Sequence, residues 1–201
     1  MTDPAPASPP PTTTPARLTV LSGPTAVGKG TVSAEMRRRR PDLWISVSCT
    51  TRPQRPGEVE GVHYHFVTPE RFDELVATGQ MLEWAVVHGV HRYGTPREPV
   101  ERQLGAGRPV LLELDLQGAR QVRVAMPEAQ FVFLAPPTFD ELVHRLVGRG
   151  TEGPEERERR LATARQELDA VTEFDHVVVN DDVTRATDEL MRLMGLQEQV
   201  A

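Results

Sequence analysis

One lysine, Lys29, occurs in a chain of 201 residues whose other 22 basic side chains are arginine. It lies in GPTAVGKGT, that is Gly23, Pro24, Thr25, Ala26, Val27, Gly28, Lys29, Gly30 and Thr31, which matches G-x-x-x-x-G-K. Glycines let such a loop turn tightly enough for several N–H groups to point inward. A helix N-terminus after the loop adds positive potential, and the ammonium neutralises phosphate oxygens. The chemistry is phosphate binding, and arginine's broad planar fork is a poor substitute for a compact ammonium in so tight a loop. Gly30 stands where Ser or Thr usually ligates Mg²⁺, so contacts between that ion and the loop are expected through water. Thr31 is expected to touch an α- or β-phosphate oxygen. A second charged pair, Arg52 and Arg55, sits in a proline-stiffened loop and suits multidentate hydrogen bonding to another phosphate.

A phosphate loop needs a strand before it and a helix after it. Arg17 to Ser22 is short, apolar and β-branched, and Thr31 to Arg40 reads as a helix stopped by Pro41. Further strands are predicted at 44–48, 63–67 and 81–87, with residues 49–61 as a polar loop. Thr68 is expected to cap a short helix that opens with Pro69 and closes at Gly79. Residues 109–115, 130–136 and 176–180 are nearly continuous apolar runs, as expected of strands buried on both faces of a parallel sheet. Thr138 and Glu141 form a capping box, and a last amphipathic helix is predicted from 183 to about 197. Alternating strands and helices imply an α/β fold with a parallel core sheet.

The formal net charge of −6 argues against a protein that coats nucleic acid. No apolar run is long enough for a membrane span. Residues 1–16, rich in proline and threonine, read as a disordered tail without export or import signals. With the lone Cys49, they point to a reducing, cytoplasmic setting. Arg37 to Arg40 read as favourable charge at a helix C-terminus. His63, His65, His88 and His91 lack acidic or cysteine partners at ligand spacing, so no direct metal site is expected there.

The segment SVSCTTRPQRPGEVEGVHYHFV (46–67) closely resembles the nucleotide-monophosphate-binding region of guanylate kinases. EW (83–84), YGT (93–95), LELDLQGA (112–119), FLAPP (133–137), GRGTE (148–152) and VVND (178–181) continue the likeness in order over roughly residues 17–197. It implies a P-loop parallel core sheet flanked by helices, with an inserted mixed-sheet GMP-binding subdomain and a helical lid. The core would comprise 17–47, 96–144 and 167–199, the insertion 48–95 and the lid 145–166, together a domain of residues 17–199. The activity implied is phosphorylation of GMP, and of dGMP, by ATP with Mg²⁺ held through water near Glu113 and Asp115. Tyr64 and Tyr93 would join Arg52 and Arg55 at the acceptor phosphate. Glu83 and Asp115 would meet the donor edge of guanine, with Ser48 and Thr95 near the base. Arg145, Arg149 and Arg160 would approach ATP phosphates from the lid, and Asn180 would contact adenine or cap a helix. A protein-binding module of the same fold is the alternative. Such modules typically lose the loop lysine or the phosphate clamp, and both are present.

Overall fold

The computed structural model describes residues 17–87, 90–147 and 154–196. In chain order the strands are β1 (Leu18–Ser22), β2 (Trp44–Ile45), β3 (Cys49–Thr50), β4 (His65–Phe66), β5 (Met81–Val87), β6 (His91–Pro96), β7 (Val110–Glu113), β8 (Gln130–Ala135) and β9 (His176–Val179). The helices are α1 (Lys29–Arg39), α2 (Pro69–Ala77), α3 (Arg97–Gly105), α4 (Leu116–Ala125), α5 (Phe139–Val147), α6 (Pro154–Asp169) and α7 (Val183–Leu193).

One sheet is parallel throughout, in the order β2-β7-β1-β8-β9. Strands β7, β1 and β8 are covered on both faces, whereas at the edge strand β9 only Val178 is buried and Val177 and Val179 are 46% and 44% exposed, so the double burial expected of 176–180 is not found there. Leu18 and Val20 of β1 join Leu112, Phe131 and the helix residues Val100 and Val122 on one side. Leu21 joins Leu111, Leu134, Val178, Met36 and Leu190 on the other. That double burial is why these segments are apolar without alternation. Strand order reverses at β1, so a crevice opens beyond its carboxyl end, where the phosphate loop begins.

The other sheet is mixed, in the order β4-β3-β6-β5. Its register sorts its side chains by face. Pairing of Met81 with Pro96 but of Glu83 with Thr95 inserts one extra residue, Leu82, as a bulge. Met81 therefore packs with Cys49, Phe72 and Leu75 on the side covered by α2. Glu83, Thr95 and Tyr93 emerge on the opposite face, because i and i+2 share a face of a strand.

Several elements differ from the expectations. The strand predicted at 44–48 is regular only at 44–45. The Ser46 N–H still bonds Leu111 of the core, whereas the Ser48 carbonyl already accepts from His65 of the mixed sheet. This segment passes from one sheet to the other and cannot belong to both. Cys49 and Thr50 form a strand inside what reads as a polar loop, and 63–67 shortens to 65–66. Strand β6 has no apolar alternation because its outward residues face the candidate site. Thr68 accepts from Arg71 N–H as the cap of α2. Thr138 accepts from Glu141 N–H, but the Glu141 carboxylate turns to Arg145, so half of the capping box forms. The last helix ends at Leu193.

Candidate functional site

The loop after β1 is shaped by close approach. Gly23 has φ 146°, and a Cβ there would lie 2.3 Å from the Leu134 carbonyl oxygen of β8. Gly28 has φ 105°, and a Cβ there would lie 2.5 Å from Asn180 Nδ2. Ala26 also takes a left-handed conformation, at φ 66°. Helix α1 starts at Lys29 itself, two residues earlier than expected, so its N-terminal end adjoins the loop, with Thr31 N–H bonded to the Gly28 carbonyl. Lys29 Nζ donates to the Gly23 carbonyl at 2.6 Å and to that of Pro24 at 3.4 Å. Desolvation lowers its pKa, opposed by the charges of Glu167, Glu113 and Asp115.

Beside the loop, Arg145 of α5 donates to the carbonyls of Val27 and Asn180, each at 3.2 Å. Asn180 is buried and its Nδ2 donates to Val27 O at 2.8 Å. The helix-cap reading of Asn180 fails, because Asp182 caps α7 by accepting from Arg185 N–H. Ala26, Gly28, Thr31, Arg145, Asn180 and Asp181 line a cavity of about 450 Å³. Arg149 lies outside the described residues, as does His88, and Arg160 falls within α6.

On the mixed sheet, Arg52 is buried and engages four of its five N–H groups within the protein. Nε donates to the Tyr93 hydroxyl at 3.1 Å and Nη1 to the Pro53 carbonyl at 2.8 Å. Nη1 and Nη2 pair with the two oxygens of Glu58 at 3.0 and 2.6 Å. Tyr64 packs edge-on to Tyr93, and the Arg52 guanidinium lies 5.5 Å from the Tyr64 ring centre. Burial raises the Tyr64 pKa, with smaller effects from Tyr93, Arg52, Glu58 and Glu113. The exposed Arg55 joins this cluster through its backbone, donating its N–H to Glu58 at 2.8 Å.

Glu83 is buried, and its Oε1 accepts from Thr95 Oγ1 at 2.6 Å. Desolvation pushes its pKa up to about 7; the Thr95 hydrogen bond opposes this and the Asp115 charge adds to it. Asp115 caps α4, accepting from Gly118 N–H at 2.7 Å. A Cβ at Gly118 would lie 2.8 Å from Glu83 Oε2 and 3.4 Å from Asp115 Oδ1, so the two carboxylates converge over this glycine. Ser48 directly precedes Cys49, whose partner Gly94 adjoins Thr95, which places Ser48 at the same end of the sheet.

Other sequence readings resolve simply. Arg38 and Arg39 pair with Glu35, and Arg40 with Asp42. His63 accepts from Val59 N–H, and His65 faces Glu60. Among the described residues no group of three or more His, Cys, Asp or Glu side chains could hold a metal ion, and no helix is long and apolar enough to cross a membrane. Glu58, Gly118 and Glu167 touch candidate site residues and carry no assignment from the sequence. The PGE turn was the available signal for Glu58; Glu167 carried none, since it resembles any glutamate on a charged helix.

The guanylate kinase family model matches residues 15–197. The chain is 62% identical over 181 residues to the guanylate kinase of Thermobifida fusca, covering 90% of this chain and 92% of that one. It is 55% identical over 181 residues to the guanylate kinase of a Synechococcus strain, covering 90% and 95%. The crystal structure of guanylate kinase from Anaplasma phagocytophilum superposes with a TM-score of 0.72 at 30% identity, over 92% of this chain and 87% of that one. A phosphate loop with its lysine, two carboxylates converging on a glycine, and relatives matched over nearly their whole length agree: the chain belongs to the guanylate kinase family.

Proposed function

We propose that the protein transfers the γ-phosphoryl group of ATP directly to GMP, forming GDP, and treats dGMP in the same way. The observation that carries this reading is the placement of Glu113 and Asp115 between two half-sites. Glu113 Oε2 lies beside Gly30 of the phosphate loop, and Asp115 Oδ1 shares the space over Gly118 with Glu83 Oε2 of the mixed sheet. The two halves therefore face each other across the end of β7. The loop 23–31 binds the ATP phosphates, the cavity beside Asn180 receives the adenine end, and residues 48–95 bind GMP.

Guanine presents N1–H and N2–H₂ donors, which match the carboxylates of Glu83 and Asp115. Thr95 orients Glu83, and Ser48 lies beside the base. Arg52 meets the GMP phosphate with its remaining Nη2–H, since Tyr93, Pro53 and Glu58 take the other four. Tyr93 accepts from Arg52 and so keeps its own proton for a phosphate oxygen; Tyr64 and Arg55 complete the cluster. The acceptor phosphate is itself the nucleophile, so the protein supplies alignment and positive charge and no general base. Lys29 and Arg145 provide that charge, joined by Arg149 and Arg160 when residues 145–166 close over the donor and exclude water. Mg²⁺, when bound, neutralises the donor phosphates. Glu113, whose Oε2 lies 3.8 Å from the place a Gly30 Cβ would take, and Asp115 fit contacts to it through water.

The test is nucleoside diphosphate formation from ATP and Mg²⁺ with GMP, dGMP, AMP, UMP and CMP offered separately. Turnover with GMP and dGMP and little with the others is expected; a folded protein inert toward all five would favour the binding module. Glu58 gives a finer check. Glu58→Ala should raise KM for GMP about tenfold, roughly 1.4 kcal/mol of lost preorganisation, and leave KM for ATP unchanged. A fall in KM for GMP would instead mean that Glu58 competes with the phosphate for Arg52.

A further inference from the structure

The peptide between Pro24 and Thr25 is held at both ends. Its carbonyl accepts from Val27 N–H at 3.2 Å and from Lys29 Nζ at 3.4 Å, the longer of that ammonium's two contacts, and its N–H donates to Glu167 Oε2 at 3.2 Å. This peptide is trans, so its carbonyl and its N–H point in opposite directions. Lys29 thus holds the unit from inside the loop, and Glu167 holds it from the side of α6. Glu167 is 8% exposed, whereas Asp169, two residues on, is exposed. Burial raises its pKa, while Lys29 and the Thr25 hydrogen bond oppose that shift. Glu113 and Asp115 also face Lys29 from the end of β7, and Glu167 leads them among the charges that keep the lysine protonated.

A buried carboxylate beside a phosphate site is costly in two ways, through its own desolvation and through repulsion of the incoming anion. Its hydrogen bond to the loop offers a reason for its presence. We propose that Glu167 is a positioning residue for ATP, which fixes the Pro24–Thr25 peptide and, through that carbonyl, the place of Lys29. Because Glu167 belongs to the helix that continues from the proposed lid, the same bond ties lid helix and phosphate loop together. This inference rests on reading residues 23–31 as the ATP site.

The test uses the full chain and compares Glu167→Gln, Glu167→Asp and Glu167→Ala by steady-state kinetics, varying each substrate in turn. Glutamine keeps an oxygen acceptor at the same reach, so KM for ATP should stay within about threefold of the parent. Alanine removes the acceptor and aspartate shortens its reach. Both should raise KM for ATP at least about tenfold, with KM for GMP within about twofold. A folded alanine variant with unchanged KM for ATP would overturn the proposal. So would a parallel rise in both KM values, which marks general damage, or a glutamine variant as impaired as alanine, which makes charge and not the hydrogen bond decisive. If alanine does not fold, the contrast between glutamine and aspartate decides the matter. Failure of the parent protein to use ATP at all would refute the underlying site reading and leave the loop contact unexplained.

Discussion

Lys29→Ala should lower kcat for GDP formation by at least about 10²–10³, the scale for removing one preorganised donor at a transition state that gathers charge. The loss belongs mainly in kcat, because the ammonium follows the phosphoryl group as it leaves. Lys29→Arg should recover little of it. The ammonium already lies 2.6 Å from the Gly23 carbonyl, in a loop whose first glycine leaves no room beside Leu134. A planar guanidinium has no matching space there. Since this is the chain's one lysine, mass spectrometry after mild acetylation can follow it without interference from any other lysine. ATP should slow its modification. Wild-type turnover in the alanine variant, or equal labelling with and without ATP, would place the donor phosphates elsewhere.

Glu83→Gln should weaken discrimination between GMP and AMP by about 10² or more, since an amide cannot accept from both guanine donors. The loss should fall on kcat/KM for GMP, with AMP little changed. Equal slowing of both nucleotides would separate Glu83 from base choice. The raised pKa adds two pH signatures. Because it lies near 7, acid protonates the carboxylate in the free enzyme and removes an acceptor. So kcat/KM for GMP should fall by about tenfold per pH unit below that value. The variant should lack this limb, which distinguishes it from titration of the substrate's own phosphate.

Stability should move the other way. The Glu83 carboxyl titrates at about 7 when folded against a model value of 4.5, so between these values the native state binds the extra proton. Native stability therefore declines as pH rises through this window and levels off above it. Above pH 7 the penalty is at most about 3 kcal/mol, from roughly 1.4 kcal/mol per unit. Glu83→Gln, which can still accept from Thr95, should melt several degrees higher than the parent at pH 8 and no higher at pH 4. Selectivity here is held at a cost to the fold. A melting difference independent of pH would refute the desolvation account.

The residues that were legible in advance share one property: their chemistry is local. A phosphate loop consists of consecutive residues, so GPTAVGKGT announces its ligand without any tertiary contact. The buried strands 110–113 and 130–135 were equally visible, because burial on both faces writes itself into composition, whereas 176–179 reads the same way yet is an edge strand with only Val178 buried. Arg52 and Tyr93, by contrast, could be grouped only through the family resemblance. They lie 41 residues apart and meet because β3 pairs with β6. The short strands of the mixed sheet escaped detection for a related reason. Two-residue pairings carry too few side chains to set a period, and the outward face of β6 is polar because it serves the site.

The sequence by itself determined that this is an α/β phosphate-binding protein and, with the resemblance, between which nucleotides a phosphoryl group is moved. Lys29, Arg52, Glu83 and Asp115 carry the relevant groups wherever they are placed. Only the tertiary structure decided how those groups are held. The Leu82 bulge turns Glu83 toward Asp115, Glu58 fixes the fork of Arg52, and Glu167 reaches the phosphate loop from 142 residues away. A charge and a hydrogen-bonding capacity belong to a residue, whereas desolvation, register and the far partner of a hydrogen bond exist only once distant segments have packed.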